Sequence, residues 1–310
     1  VKSGVLEELA AKLCCEVRFD EALAGYTTYR IGGPAAAMVF PRNAEEVAAV
    51  VRFARETGTH YLVLGLGSNV LIADRGFDGI VIRIGKGMDR LEREGEGTVW
   101  RVGAGLPTPL LARRTAAAGQ AGVHLLVGVP GTVGGGVFMN AGAHGQEFGR
   151  VVREVKVVGS DGEYRRLSGD QIPWRYRESG LDPNVVVEVV LELELADPRE
   201  LREAVARHLR WRTGGTPFNQ PCCGSVFRNP SPPGGARAGA LSKTAGQLID
   251  AAGMKGFTVG GAQVSFKHAN YIVNLGGATA ADVLAVIDAV RERVLEEFGV
   301  ELELEVKVIA

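Results

Sequence analysis

Gly128-Val-Pro-Gly-Thr-Val-Gly-Gly-Gly-Val-Phe-Met-Asn-Ala-Gly-Ala-His-Gly145 places seven glycines in eighteen residues, with almost no charge. A flexible linker of that glycine content would be rich in serine and polar residues. Here valine, phenylalanine, methionine and proline are interleaved with the glycines, so the stretch reads as backbone held close to something flat or extended. A large cofactor satisfies that pattern; close packing of a helix on a sheet is the competing explanation. A second cluster, Leu64-Gly65-Leu66-Gly67-Ser68-Asn69-Val70-Leu71, directly follows a strand. It is not a G-x-G-x-x-G dinucleotide turn, because position 70 is Val and the following VLIADRGFDGIVIRI reads as strand rather than helix. Glycines between two strands still let successive N–H groups point into one anion-binding concavity. A tight hairpin without a ligand is the alternative.

The rest of the composition bounds the possibilities. The chain has 310 residues, 46% hydrophobic and 23% charged, which at roughly 150 residues per domain predicts about two globular domains. Glycine, at 43 residues, is in excess without any collagen-like period. Lys+Arg (35) balances Asp+Glu (36), so no basic excess draws the chain to nucleic acid. Apolar runs such as 35–40 and 47–51 are far shorter than the roughly 20 residues of a membrane helix. The start, VKSGVLEELAAKL, carries acids and no signal-peptide core, so a soluble, cytoplasmic protein is expected. The four cysteines form adjacent pairs, Cys14-Cys15 and Cys222-Cys223, and are expected to be reduced thiols. With five histidines and no H-E-x-x-H, no metal site is expected. The patterns G-x-x-x-x-G-K-[ST] and G-x-S-x-G are absent, which argues against a P-loop ATPase and an α/β-hydrolase.

Working outward from the clusters, the pattern predicts a short helix from Ser3, then a strand over 35–40. Asn43 with Glu46 opens a helix to about Glu56, and a strand follows over 61–64. Short strands are predicted over 70–73, 79–84, 99–102, 151–158 and 185–195, with a helix over 107–119. A helix from Asp197 to about Arg212 precedes a long Gly/Pro-rich stretch, 214–239. Then come a helix over 241–252, strands near 262–266 and 271–273, a helix over 279–298 and a final strand over 300–309. The domain boundary is placed near 196, with the first domain itself split near 65.

Six segments, YTTYRIGGPA (26–35), LGLGSNVLIAD (64–74), GVPGTVGGGVFMNAGAHG (128–145), YRES (176–179), PCCGSVFRNP (221–230) and LELEVKV (302–308), resemble in order and spacing the UDP-N-acetylenolpyruvoylglucosamine reductases. The resemblance runs from near residue 20 to the C-terminus. It implies an α+β fold, with an FAD-binding domain of the vanillyl-alcohol-oxidase (PCMH) type made of two α/β subdomains over residues 1–196. A smaller C-terminal α/β substrate-binding domain covers 197–310, its last strand returning toward the active site. It also implies tightly bound, non-covalent FAD, NADPH as co-substrate, and reduction of UDP-N-acetylglucosamine enolpyruvate to UDP-N-acetylmuramate in cell-wall peptidoglycan synthesis. No nucleic acid or membrane partner is implied, and a monomer is expected.

By the same resemblance, Ser225 donates a proton to C2 of the substrate after hydride reaches C3. A hydroxyl is a poor acid in water, so that step needs a neighbour that stabilises the alkoxide or relays a proton. Taken alone, Ser225 would read as a turn or cap. Arg177, otherwise an ordinary solvated charge, faces the enolpyruvyl carboxylate, where a planar, permanent cation suits the charge that builds up. Arg175 would share its face if both lay on a strand; the YRxS match selects Arg177. On the last strand the alternation alone makes Glu301, Glu303 and Glu305 a wet edge. The L-E-x-E-V-[KR] match selects Glu305 as catalytic, with Glu303 as the fallback. Cofactor contacts are carried to Arg30, Gly65, Gly67, Ser68, Asn69, Gly128, Pro130, Gly131, Gly134, Gly135, Asn140 and Gly142, and substrate contacts to Arg228 and Asn229. His144 stands where the family pattern has tyrosine, Arg228 where it has lysine, and PSPPGGARAG (230–239) is an insertion. No tyrosine-bearing insertion over the UDP-sugar is seen, so the chain resembles the shorter class. Two other readings remain at this stage. One is a flavoprotein oxidase of the same fold, often with flavin bound covalently to a histidine; His60, His124 and His144 lie near the glycine loops. The other is a nucleotide-sugar binding module without flavin.

Overall fold

Asn43 opens the first long helix as its spacing predicts: its side chain accepts the N–H of Glu46, and Gly58 closes the helix Ala44–Thr57 in the left-handed conformation. The apolar stripe of that helix (Val47, Val50, Val51, Ala54) is fully or almost fully buried. A computed structural model describes residues 3–230 and 243–310. Its backbone contacts define two compact units.

The first unit comprises residues up to Glu21, Ala35–Leu66 and Asp78–Arg212. It holds a four-stranded sheet in the order Glu16–Ala22, Pro34–Phe40, Phe77–Arg83, Tyr61–Leu64; the last two run parallel, with Tyr61 opposite Ile80. It also holds a five-stranded antiparallel sheet in the order Tyr164–Ser168, Val152–Val158, Val185–Glu192, Val99–Gly103, Leu91–Arg93. Val185–Glu192 is the central strand and reads Val-Val-Val-Glu-Val-Val-Leu-Glu, an almost continuous apolar run, because both of its faces are covered. One core joins the two sheets through residues such as Val51, Ile80, Val102, Phe148, Val155 and Val189.

The second unit comprises Ala22–Pro34, Gly67–Phe77 and the described residues from Thr213 to Ala310. A three-stranded antiparallel sheet (Thr258–Val259, Ala262–Val264, Ile272–Asn274) shares a core with the helices Ala245–Ala251 and Ala280–Phe298. Thr279 and Asp282 form a reciprocal capping box at the start of the long helix. The Asp74 carboxylate accepts the N–H groups of Ala280 (2.7 Å) and Ala281 (3.1 Å).

The structure adds the strands Glu16–Ala22, Leu91–Arg93 and Tyr164–Ser168 to the sequence reading and departs from it in other ways that bear on the site. Contacts divide the chain at Arg212/Thr213 rather than near 196, and assign 22–34 and 67–77 to the second unit. The cause is non-local pairing: Val70–Ile72 runs parallel to Lys307–Ile309, and Thr28 donates its N–H to Gly67 O. Val133–Phe138 is a short helix, the alternative reading of the glycine cluster, although three of its six residues are glycine. The helix expected from Leu241 begins at Ala245 among the described residues; Leu241, and the 230–239 insertion beyond Pro230, lie outside them. The final strand is regular only over Lys307–Ile309, for a reason that bears on the site.

Candidate active site

The two glycine clusters meet. A Cβ on Gly65 would lie 2.6 Å from Thr132 Oγ1, so only glycine lets the 65 turn rest against the 132 turn, although 67 residues of chain separate them. Gly131 has φ +126°, a conformation for glycine alone, and its carbonyl accepts the Thr108 N–H at 2.9 Å. Within this segment the glycines divide by role. Gly134 and Gly136 lie in the helix Val133–Phe138 and abut Ala104 and Phe148, which is the helix-on-sheet packing that competed with a cofactor in the sequence reading. Gly128 backs onto the stem of Arg212. Gly135 and Pro130, by contrast, are exposed, and a side chain on Gly135 would meet only the oxygen of its own cap, Thr132. The outward face of this turn is therefore bare main chain without charge, a surface that a planar, extended group such as FAD can approach closely; these residues fit the group. The cluster is thus partly packing (Gly65, Gly128, Gly134) and partly open or half-open main chain (Pro130, Gly131, Gly135).

Arg177 sits at the tip of a tight turn, not on a strand, so the expected shared face with Arg175 does not exist. Arg175 and Glu178 exchange both main-chain hydrogen bonds (2.8 and 3.1 Å), leaving Tyr176 and Arg177 as the loop, and Arg177 has φ +59°. A non-glycine residue in that region costs about 1–3 kcal/mol and persists only where its surroundings over-determine it. They do so here. Asn140, 1% exposed and itself at φ +43°, donates from Nδ2 to Arg175 O (2.8 Å) and accepts the Gly149 N–H (2.9 Å). Ser179 donates to Phe138 O (2.6 Å) and accepts the Leu181 N–H (3.2 Å). The half-buried Arg177 donates from Nη2 to Gly142 O (3.0 Å), and its guanidinium carbon lies 4.8 Å from the Tyr176 ring centre; Arg175 is exposed. A Cβ on Gly142 would press on Glu147, on Gln146 O and, at 3.3 Å, on Arg177 Nη1. Asn140 was expected to touch the cofactor. Both ends of its amide are instead committed inside the protein, where they hold the turn that presents Arg177.

In the second unit Ser225 is half-buried and follows Gly224, which has φ +87°. The next residues, Val226 to Arg228, run antiparallel to 303–306: Arg228 donates its N–H to Glu303 O (2.9 Å), and Phe227 bridges Leu304. At Val226 the register breaks. Glu305 and Val306 both donate their N–H groups to the one carbonyl of Val226 (2.8 and 3.3 Å), a bulge that spends two residues opposite one. This is why the last strand is not regular over 300–309. It also separates the three glutamates: Glu301 and Glu303 stay exposed while Glu305 is drawn half inside, beside the Ser225 segment. The fallback, Glu303, stays on the wet side.

The remaining candidates of this unit divide in the same way. Gly67, φ +63° and buried, lies so close to Tyr26 O that no side chain is tolerated. Asn69 donates from Nδ2 to Glu305 O (3.1 Å), and its main-chain carbonyl accepts the Lys307 N–H (3.0 Å), so it supports the bulge from both its side chain and its backbone. Asn229 accepts the Ala245 N–H through Oδ1 (3.1 Å), a role at a helix start. Arg30 is exposed at φ +55°, while Ser68 and Arg228 are half-buried. Beneath them Tyr29 and Cys223 are buried, and loss of solvent pushes both the phenol and the thiol above their ordinary values. Both therefore stay neutral, and all four cysteines are free thiols.

Residues 216–309 match the family profile described as UDP-N-acetylenolpyruvoylglucosamine reductase, C-terminal domain, and residues 35–168 match an FAD binding domain. The chain is 41% identical over 307 residues to UDP-N-acetylenolpyruvoylglucosamine reductase of Halalkalibacterium halodurans, covering 98% of each chain. It is 44% identical over 292 residues to the protein of that name from Heliobacterium modesticaldum, covering 94% of this chain and 90% of the other. The crystal structure of UDP-N-acetylenolpyruvylglucosamine reductase from Thermus caldophilus superposes with a TM-score of 0.78 at 35% identity, covering 96% of this chain and 99% of that one. An α+β chain with an FAD-binding domain, a bulged C-terminal strand beside Ser225, and relatives of this identity over nearly its whole length belongs to the UDP-N-acetylenolpyruvoylglucosamine reductase family.

Proposed function

We propose that the chain reduces the enolpyruvyl ether of UDP-N-acetylglucosamine enolpyruvate to the lactyl ether of UDP-N-acetylmuramate, a step of peptidoglycan synthesis, with NADPH as reductant. Bound FAD supplies the hydride carrier between the nicotinamide and the substrate, and the open face formed by Pro130, Gly131 and Gly135, beside the Gly65 turn, would hold it. The chain's own residues handle charge and protons. As hydride arrives at C3, negative charge moves into the α-carbon and its carboxylate. Arg177 opposes that charge; its guanidinium is fixed by a strained turn, so little reorganisation accompanies the step. Ser225 then delivers a proton to C2. Glu305 hydrogen-bonds the same carboxylate in its protonated form, since two facing carboxylates would repel. Arg228, in place of lysine, keeps a cation for the diphosphate. The reading includes non-covalent FAD, a chain acting as a monomer, and a cytoplasmic location; no helix among the described residues is long and apolar enough to cross a membrane.

The observation that carries this reading is the bulge at Val226, which singles out Glu305 from three neighbouring glutamates and sets it beside the Ser225 segment. The test is Ser225→Ala in rapid mixing. NADPH is expected to bleach the flavin at the parent rate, while reoxidation by the enolpyruvyl sugar falls about 10²-fold or more, the range for loss of a general acid. Unchanged turnover would remove Ser225 from the mechanism.

A further inference from the structure

Asn270 makes an unusual set of contacts with the segment that follows Ser225. Its Nδ2 donates to Phe227 O (2.8 Å) and its Oδ1 accepts the Phe227 N–H (2.9 Å), so one side chain copies the donor and acceptor of a neighbouring strand. Its own main-chain carbonyl accepts the Val226 N–H (2.9 Å), and its N–H donates to His268 Nδ1 (3.2 Å). Asn270 is 5% exposed, Phe227 1% and Val226 0%, so water cannot replace these bonds. On the opposite edge of Val226, Phe227 and Arg228 lie Glu303, Leu304 and the bulged Glu305.

The Val226–Phe227 peptide is therefore gripped from both sides: by Asn270 on one edge and by the Glu305 strand on the other. We propose that Asn270 is a positioning residue for proton delivery, fixing Ser225 relative to Glu305 through the Val226–Phe227 peptide. The proposal rests on the reading of Ser225 as the proton donor. Only an amide fits the place. An ionised aspartate has no hydrogen to offer Phe227 O and would turn a negative oxygen toward it, and glutamine would hold the same atoms one methylene further out. Asn270 is buried, and both ends of its amide are bonded to Phe227, so it is not placed to touch substrate. Its effect must therefore appear only in the step that Ser225 performs.

The experiment uses the FAD-loaded, full-length enzyme with Asn270→Asp, and Asn270→Ser in parallel. Flavin reduction by NADPH is expected to stay within about twofold of the parent, while reoxidation by the enolpyruvyl sugar slows by about 10²-fold, the loss that a displacement near 1 Å can produce. KM for the sugar is expected to change less than kcat, because the misplaced group acts in the transition state. The double variant Ser225→Ala/Asn270→Asp is expected to be no slower than Ser225→Ala alone, since the two act as one unit. Equal slowing of both half-reactions, parent-like reoxidation in a folded variant, or failure of both variants to fold would each overturn the proposal and leave Asn270 a purely structural residue. Parent-like reoxidation in Ser225→Ala would instead overturn the proton-donor reading on which it rests. A slow Ser225→Ala beside a parent-like Asn270→Asp would overturn the positioning role alone.

Discussion

At Arg177 the backbone itself argues for function. A long charged side chain at φ +59° is held there by Asn140, Ser179 and a two-bond turn, and none of this is required to keep an exposed arginine in solvent. Arg177→Lys keeps the charge and loses the fork, so kcat is expected to fall about 10²-fold with KM altered much less, as for the loss of one transition-state donor. Steady-state kinetics at saturating NADPH checks this; a raised KM with kcat intact would mean that Arg177 only binds substrate. Ser225, Arg177 and Glu305 are proposed as catalytic because each lies in a short motif that carries the family resemblance. The supporting roles of the amides were not legible in the sequence. Asn69, Asn140 and Asn229 came as ligand contacts from the resemblance, whereas the structure gives Asn69 Nδ2, both ends of the Asn140 amide and Asn229 Oδ1 partners within the fold. Ser179 carried a signal, the last letter of YRES, that could have named it as the anchor of the turn.

Between elements, the capped helices and several short strands followed their patterns, while the expected last strand did not. The helices Ala44–Thr57 and Ala280–Phe298 carry caps and an apolar stripe, and both fall within a residue or two of expectation. Val133–Phe138 has the composition of a loop and becomes a helix because Ala104 and Phe148 leave room only for glycine there. The hairpin Gly142–Ala143/Gln146–Glu147 turns through His144 and Gly145, both at positive φ, which sets His144 against the helix Pro198–Gly215. The His144 ring lies 4.2 Å from that of His208 and 4.8 Å from Trp211, and His124 Nδ1 faces Gln146 Nε2 at 3.2 Å. Desolvation, then His208, lowers the pKa of both His124 and His144 from 6.5, with Arg212 acting further on His144. The folded state thus holds both rings neutral, while the unfolded chain takes up protons near 6.5. Stability from these rings is present above that pH and is lost as pH falls below it. Thermal unfolding is expected to show a lower Tm at about pH 5.5 than at about pH 7.5, and His144→Tyr, the family residue, is expected to flatten that slope. An identical pH dependence in both proteins would show that His144 does not contribute.

For the whole molecule, the expectation of two domains agrees in number with the two compact units, but a single cut near 196 could not describe a chain that enters the second unit three times. The second unit takes its first two segments through contacts across more than 200 residues. Asn274 Nδ2 donates to Tyr29 O, and Val70–Ile72 pairs with Lys307–Ile309; no local pattern in the sequence reports such a pairing. The fold class was nonetheless readable, because six ordered motifs spread along the chain carry the family resemblance that implies it.

The account as a whole depends on electrons passing through a flavin held by this chain to an unsaturated sugar ether. The direct measurement is the visible spectrum of the purified protein under anaerobic conditions, first with NADPH and then with UDP-N-acetylglucosamine enolpyruvate. The account predicts a yellow protein that is bleached by NADPH and regains its colour on adding the sugar, with one lactyl product formed per flavin reoxidised. A protein that binds no FAD, or a reduced flavin that the enolpyruvyl sugar does not reoxidise, would contradict it.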